Sequence, residues 1–463
     1  MTNQVRLPEG PLVAFYADDF TGASAVMEVL ASAGLRAVMF VEPPSAPQLR
    51  QFSAYRAIGI ASVARAQPPS WMDANLPSAF ETLAEIGAPI VHYKICSTLD
   101  SSPHVGSIGR AIDIGAPIFG KELGAATWQP LIVAAPPIGR YQAFGNLFAR
   151  HKDSIRRLDR HPVMCGHPVT PMDEADVRLH LARQTTREIG LIDLAAMKNG
   201  CGLERFKTEL GCGRRVISLD AVDDDTLRWV GVLMWENRGR RLFAIGSQGV
   251  EYALLAHWRA MGLLPPVAAT EPAPKERQII AVSGSVSSVT AAQIEWAAAN
   301  DFDVIAVEAE ASIDESAWAA ELERALEQAV ASLSRGRSPL VATARRYDEE
   351  AVAALRRKLS AAGLNPATAS ARIGGGLGGI LKRLAGEAGV KRGAILGGDT
   401  SGFAVRALDA YALEAIAPIA PGVPLCRIFS VTNEMDGFEI ALKGGQMGEA
   451  GFLGSVRAGG AAN

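Results

Sequence analysis

The sequence predicts an α/β protein of two domains, each a mostly parallel sheet flanked by helices. Short apolar runs alternate with helix-period segments along the chain, the rhythm of strand–helix units. Pro265 to Arg277 breaks that rhythm with four prolines and no periodicity. It therefore divides a domain at 1–264 from one at 278–463, with 265–277 as the linker. The residues able to do chemistry fall where strands pass into helices, the position at which open α/β sheets bind ligands.

Pro11 to Tyr16 is long enough for one buried strand. Val26, Val29, Leu30 and Ala33 then mark one face of a helix that Gly34 stops. Between the two stands Ala17-Asp18-Asp19-Phe20-Thr21-Gly22-Ala23. A helix N-cap needs one acid. A second acid beside it is costly unless a cation, a donor or a substrate hydroxyl shares the site. Asp18 and Asp19 are therefore candidate catalytic and substrate-binding residues, the simpler alternative being a capped helix.

Leu35 to Val41 and Tyr55 to Ile60 read as further strands, followed by a helix around Ser78 to Ile86. Pro89 to Tyr93 is a strand that runs into Lys94-Ile95-Cys96-Ser97-Thr98-Leu99-Asp100-Ser101-Ser102-Pro103, ahead of a helix near Val105 to Ile112. Lys94 can neutralise an anionic substrate group there, while Ser97 and Thr98 donate hydrogen bonds. Gly115 to Lys121 has the outline of a phosphate-binding P-loop, but Glu122 stands where the magnesium-binding hydroxyl belongs and Pro117 interrupts the loop. After the strand Pro130 to Ala135, Arg140 offers a planar fork for a carboxylate. His161, Cys165 and His167 have the composition of a metal site without a fourth ligand in place, so no metal is assigned to them.

In the second domain, the strand Gln278 to Val282 leads into Ser283-Gly284-Ser285-Val286-Ser287-Ser288 and a helix from Thr290 to Asn300. Small and hydroxylated residues at such a turn can cradle phosphate on free backbone N–H groups. Gly374, Gly375, Gly376, Gly378 and Gly379 read as a loop ahead of an amphipathic helix, where close backbone approach by a ligand would explain so many glycines. Ala394-Ile395-Leu396 is a buried strand ending in Gly397-Gly398-Asp399-Thr400, the most specific phosphate-loop candidate in the chain. Tight helix-on-sheet packing is the alternative for both glycine runs. Lys443 adds a cation on a loop near the end, and the tail from Arg457 onward reads as frayed.

Composition narrows the function. Hydrophobic residues are 48% and charged residues 21% of 463, and the formal net charge is −3. That balance gives no electrostatic case for nucleic acid or for an anionic membrane surface. No apolar run approaches a membrane span, and the chain does not open on a basic-then-apolar signal segment. Five scattered cysteines without a Cys-x-x-Cys pair indicate reduced thiols and a cytoplasmic location.

Taken together, these segments resemble the four-carbon acid sugar kinase family from Pro11 to about Ser455. The resemblance rests on Ala17 to Ala23, Lys94 to Thr98, Gly139-Arg140 and His167 to Met172. It extends to Gly284-Ser285 with Thr290, Gly397 to Thr400 and Lys443 to Gly448. It implies an N-terminal domain for the acid sugar, a C-terminal domain for ATP and an active site in the cleft between them. The reaction implied is ATP-dependent phosphorylation of a hydroxyl on a small aldonate such as threonate, erythronate or an oxo-tetronate. The resemblance also makes His167 part of a structural loop. Two departures bear on the substrate: many members carry Asp where Cys96 stands and Arg-Gly where Asp100-Ser101 stand. This version of the loop resembles a branch associated with branched acids such as 3-oxo-isoapionate.

The roles that follow are expectations. Asp19 is the base and Asp18 its orienting neighbour, with the two interchangeable. Lys94 and Arg140 clamp the carboxylate, and Ser97 and Thr98 fix hydroxyls. Ser285, Gly374, Gly375, Gly376, Gly397, Gly398, Asp399 and Thr400 hold ATP, with Mg2+ bridging its phosphates beside Asp399. Domain closure about the linker would exclude water. The partners expected are the acid sugar and ATP, with a homodimer left open and neither nucleic acid nor membrane involved. The alternatives are a non-catalytic acid-sugar sensor and an NAD-dependent dehydrogenase of a small hydroxy acid, built on Gly374-x-Gly376-x-x-Gly379.

Overall fold

Val13–Ala17 (β1) is buried along its whole length, as its five apolar and aromatic residues require. In the computed structural model it is the centre of the first of two units. Described are residues 6–151, 153–167, 169–264, 272–344, 349–364, 366–445 and 447–460. The first unit comprises 1–38 with 43–268, and the second comprises 39–42 with 269–463.

The strands of the first unit are β1, the first two residues of Ala37–Phe40 (β2), Ala57–Ala61 (β3), Ile90–Lys94 (β4), Gln129–Ile132 (β5), Arg140–Ala143 (β6), Asn146–His151 (β7), Ser154–Arg157 (β8), Ile189–Ile192 (β9), Val216–Leu219 (β10) and Leu242–Gly246 (β11). Its main sheet runs β2-β3-β1-β4-β11-β5-β10-β9, and the pairings from β3 to β9 are all parallel. Helices connect the strands and cover both faces, which is why the strands read as unbroken apolar runs. On one face Tyr16, Phe80, Phe119 and Phe243 interlock, with successive ring centroids 5.6, 5.4 and 4.8 Å apart. The three short strands β6, β7 and β8 form a separate antiparallel sheet that the sequence pattern does not announce.

The second unit contains Ile280–Ser283 (β12), Phe302–Ala306 (β13), Ser338–Ala342 (β14), Arg392–Leu396 (β15), Ala410–Ala420 (β16), Val423–Ser430 (β17) and Glu439–Lys443 (β18). The order β13-β14-β12-β15-β18 is parallel, and β17 and β16 continue it antiparallel. Ile279, Leu340, Leu396, Leu425 and Phe452 lie in its core.

Three expectations are corrected. Gly374, Gly375, Gly376, Gly378 and Gly379 do not form a loop; they lie inside the helix Pro366–Ala388. Their N–H groups belong to that helix, and the strand–glycine loop–helix arrangement of a dinucleotide site is missing. A Cβ on Gly374 would stand 2.7 Å from Phe403 Cβ, and one on Gly378 would stand 2.5 Å from the Ala404 carbonyl oxygen, so these glycines let two helices approach. Lys443 is not on an exposed loop; it ends β18 and is fully buried. Nor does the tail fray from Arg457, since Gly459 and Gly460 are buried and the Ala273 N–H donates to the Gly459 carbonyl at 2.8 Å. Of the expected linker, residues 265–271 lie outside the described residues.

Packing and ligand approach make opposite demands on these glycines. Gly378→Ala should lower stability by about 1–3 kcal/mol, the range for overpacking. Gly375→Ala, with nothing within 4 Å of its added Cβ, should be neutral or stabilising by up to about 1 kcal/mol. Denaturant midpoints of the two variants check both, and equal effects would refute the packing account.

Candidate active site

The site begins with the end of β1. The parallel register sets Ala17 beside Ala61 of β3 and beside Lys94 of β4, so the residues that follow each strand meet. Asp19 caps the helix Phe20–Ala31, its Oδ1 accepting from the Gly22 N–H at 2.7 Å and its Oδ2 from the Thr21 hydroxyl at 2.5 Å. Asp18 is free of that duty, although its N–H donates to the Lys94 carbonyl at 3.0 Å. The cation that the paired acids require is Arg65, which the sequence did not single out. Its Nη2 donates to Asp18 Oδ1 at 2.6 Å and to Asp19 Oδ1 at 2.8 Å. Nη1 donates to Asp19 Oδ2 at 2.8 Å, and Nε to Asp18 Oδ2 at 3.3 Å.

The two acids are thereby made unequal. Burial would raise the Asp19 carboxyl, but Arg65, Lys94, the Thr21 hydroxyl and the Gly22 N–H together hold it below its ordinary value. Burial raises Asp18 and the Asp19 charge adds to that, with Arg65 only partly offsetting them. Asp18 is the better proton acceptor of the pair. Lys94 is 2% exposed, and its Nζ folds back to donate to the Ile95 carbonyl at 2.7 Å. A Cβ on Gly22 would stand 3.1 Å from that Nζ and 2.4 Å from Asp19 Oδ1, so glycine keeps the helix start open to both groups.

Behind Lys94, the loop folds on its own side chains. The Thr98 hydroxyl donates to Asp100 Oδ1 and lies 2.9 Å from Cys96 Sγ. Ser101 is buried against His180, 3.0 Å from its Nε2, and Gln184 donates to the Ser101 hydroxyl. Arg140 opens β6, and the Asp100 carboxylate is near enough to act on its charge. Its Nη1 makes only 3.3 Å contacts with the Ile138 and Gly139 carbonyls, and its buried Nε has no partner. Burial pulls the Arg140 guanidinium down and leaves it wanting an anion. Ser97 is half-buried in the same loop. His161 and His167 serve as local caps, for the Val163 and Thr170 N–H groups respectively.

A second cluster gathers at the carboxyl ends of β12, β15 and β18. Gly397 has φ +126, a conformation that L side chains rarely adopt, and the helix Gly398–Arg406 starts there. A Cβ on Gly397 would stand 3.3 Å from the Ser285 nitrogen, and one on Gly284 would stand 2.2 Å from Thr400 Oγ1. The expected Ser285, Gly397, Gly398 and Thr400 are therefore brought together, while the Asp399 side chain lies outside the described residues. Lys443 Nζ contacts Thr290 Oγ1 at 3.2 Å and the carbonyls of Gly444, Gly445 and Met447 at 2.9–3.4 Å. Burial pulls its amine down to about 7. Free N–H groups at a helix start, serine hydroxyls and a lysine suit a polyphosphate.

A model of a sugar-binding N-terminal domain matches residues 13–254, and one of a nucleotide-binding C-terminal domain matches residues 280–453. The chain is 44% identical over 458 residues to the 3-oxo-isoapionate kinase of Paraburkholderia graminis, covering 99% of this chain and 96% of that one. It is 30% identical over 450 residues to a 3-oxo-tetronate kinase of Pseudomonas fluorescens, covering 96% of each. Among solved structures, a Salmonella typhimurium LT2 protein described as a putative tRNA synthase has a TM-score of 0.73 at 22% identity, over 96% of this chain and 98% of that one. That likeness speaks for the fold alone. A Haemophilus influenzae protein has a TM-score of 0.67 at 25% identity, over 96% and 99%.

The two matched domains define a phosphotransferase acting on an alcohol group. The chain belongs to the four-carbon acid sugar kinase family, and its activity is that of an ATP-dependent acid sugar kinase. The α/β class and the kinase activity expected from the sequence both stand. No helix among the described residues is long and apolar enough to cross a membrane.

The site also dictates thiol chemistry. Burial, with Asp100 adding to it, pushes the Cys96 thiol up to about 11. At pH 8 only about a thousandth of it is thiolate, the reactive form. Mass spectrometry after brief alkylation should find the exposed Cys165, Cys201 and Cys212 modified and Cys96 intact. Rapid labelling of Cys96 would show that its surroundings favour the anion instead.

Proposed function

We propose that this kinase phosphorylates a hydroxyl of a branched 3-oxo acid of the 3-oxo-isoapionate type, with Asp18 as the base. The observation that carries the substrate is the 44% identity across 99% of the chain to a kinase of that name, against 30% for the 3-oxo-tetronate kinase of Pseudomonas fluorescens. Cys96 and Asp100 support it, since an acid at 100 beside Arg140 suits a substrate that presents hydroxyl or hydrated-ketone donors as well as a carboxylate.

Phosphoryl transfer depends mainly on positioning and on neutralising charge. In the first unit, Arg140 takes the carboxylate with its unpartnered Nε, and Lys94 takes an anionic oxygen of the substrate. Thr98 and Ser97 hold hydroxyls. Asp18 accepts the proton of the attacking hydroxyl, because its carboxyl is raised while that of Asp19 is lowered and committed to the helix cap. Asp19 and Arg65 orient it. In the second unit, Ser285, Gly397, Gly398 and Thr400 hold the phosphates of ATP. Asp399 would hold Mg2+, which would supply neutralising charge to those phosphates. The reaction takes place in the cytoplasm.

Two measurements test this reading. Coupled ADP release should give the highest kcat/KM on the branched acid; a tenfold or greater preference for a linear tetronate, on the order of one lost specific contact, would exclude the proposed substrate. Asp18→Asn should cost about 100-fold or more in kcat with the KM for the acid little changed, the scale of a lost general base. Asp19→Asn should cost much less, because Asn caps a helix as well as Asp. The reverse ranking would return the base to Asp19.

A further inference from the structure

We propose that the buried Glu251–His92 pair is a positioning device for Lys94, acting through the backbone that joins β4 to β11. This rests on Lys94 being the cation that meets the acid substrate. His92 and Lys94 are two residues apart and so point to the same face of β4. His92 and Glu251 are both wholly buried, and His92 Nδ1 lies 2.7 Å from Glu251 Oε1. The other ring nitrogen, Nε2, lies 3.0 Å from the Gly246 carbonyl oxygen. A carbonyl only accepts, so Nε2 carries a proton, and the ring is held at both ends with one further proton between Nδ1 and Glu251.

The Gly246 carbonyl is the pivot. Gly246 pairs with Lys94 across the β4–β11 ladder, and the same carbonyl accepts from the Ile95 N–H at 2.8 Å. The Ile95 carbonyl in turn accepts from Lys94 Nζ at 2.7 Å. Gly246 lies tight against the neighbouring strand, since a Cβ there would stand 2.1 Å from the Ile132 carbonyl oxygen. Four hydrogen-bond links thus connect Glu251, in the first turn of the helix Gly249–Ala260, to the ammonium of Lys94. Glu251 Oε2 is buried without a partner. A buried pair left partly unsatisfied adds little net stability, so orientation is the consequence it has to offer.

Steady-state kinetics on Glu251→Leu, Glu251→Gln, Lys94→Met and Glu251→Leu/Lys94→Met test this, with thermal midpoints beside them. Glu251→Leu should raise the KM for the acid about tenfold, as a misplaced contact does, and leave the KM for ATP unchanged. Glu251→Gln should recover most of that, because its amide still holds Nδ1 while Nε2–H still donates to Gly246. In the Lys94→Met background, Glu251→Leu should add less than about twofold, the mark of two residues acting as one. Effects that multiply in the double variant, or that fall equally on both substrates, would reduce the pair to a structural role. Should Lys94→Met keep wild-type affinity for the acid, the reading of Lys94 itself fails, a distinct result. If Glu251→Leu does not fold, His92→Gln replaces it in the cycle with the same expected outcomes.

Discussion

Two carboxylates on consecutive residues, both almost out of contact with water, are the constraint on which the first unit depends. Taking one such ion out of water costs on the order of several kcal/mol, and its neighbour of like charge adds to the cost. Arg65 resolves this because a guanidinium offers donors in a rigid fork, and here each of its three nitrogens donates to Asp18 or Asp19. A lysine would supply the charge without the geometry. The fork is itself placed by backbone: the Arg65 N–H donates to the Asp18 carbonyl at 3.0 Å, and the Ser62 hydroxyl donates to the Ala17 carbonyl at 3.0 Å. The β1–β3 register and the ion cluster therefore support each other.

The same device appears in each unit. Lys94 ends β4 and Lys443 ends β18; both are buried, and each folds its amine back onto the carbonyl of the next residue, at 2.7 and 2.9 Å. A parallel sheet directs the carboxyl ends of its strands to one edge, where helix starts also bring free N–H groups. A lysine held there by backbone oxygens is a cation whose position is set before any anion arrives. The difference lies in the company each keeps. Lys94 has two carboxylates close by, whereas among the described residues the Lys443 amine meets neutral oxygens, and burial pulls it down to about 7.

What could be read in the sequence followed from local pattern. Buried parallel strands are short apolar runs, so β1, β4, β5, β12 and β15 were visible, and so were Asp18, Asp19, Lys94 and Gly397 at their ends. Arg65 was not, because its role comes from the β1–β3 pairing across 46 residues, and nothing local distinguishes it from a surface arginine. His92 and Glu251 were hidden for the same reason: a lone polar residue in an apolar run carries no sign of its partner 159 residues away. The glycines of Pro366–Ala388 misled in the opposite direction. Glycine disfavours a helix by about 1 kcal/mol per residue, and at Gly374 and Gly378 the close crossing of a second helix makes that loss worthwhile.

The charges around the proposed acid site bear on how Asp18 could serve as base. Asp18, Asp19 and Asp100 are balanced by Arg65, Lys94 and Arg140, so the cluster is formally neutral before a substrate binds. An incoming carboxylate brings one negative charge close to Asp18, whose carboxyl burial has already raised. A like charge nearby raises it further. The base would then become more basic at the moment the hydroxyl arrives, and accepting that proton would cancel the charge the substrate brought in. Asp19 cannot respond in this way, because the Gly22 N–H and the Thr21 hydroxyl stabilise its ionised form whether or not substrate is present. Two neighbouring aspartates that share one arginine thus acquire different work: Asp19 also caps the helix and is held ionised, and Asp18, raised by burial and by its neighbour's charge, is left able to change its charge.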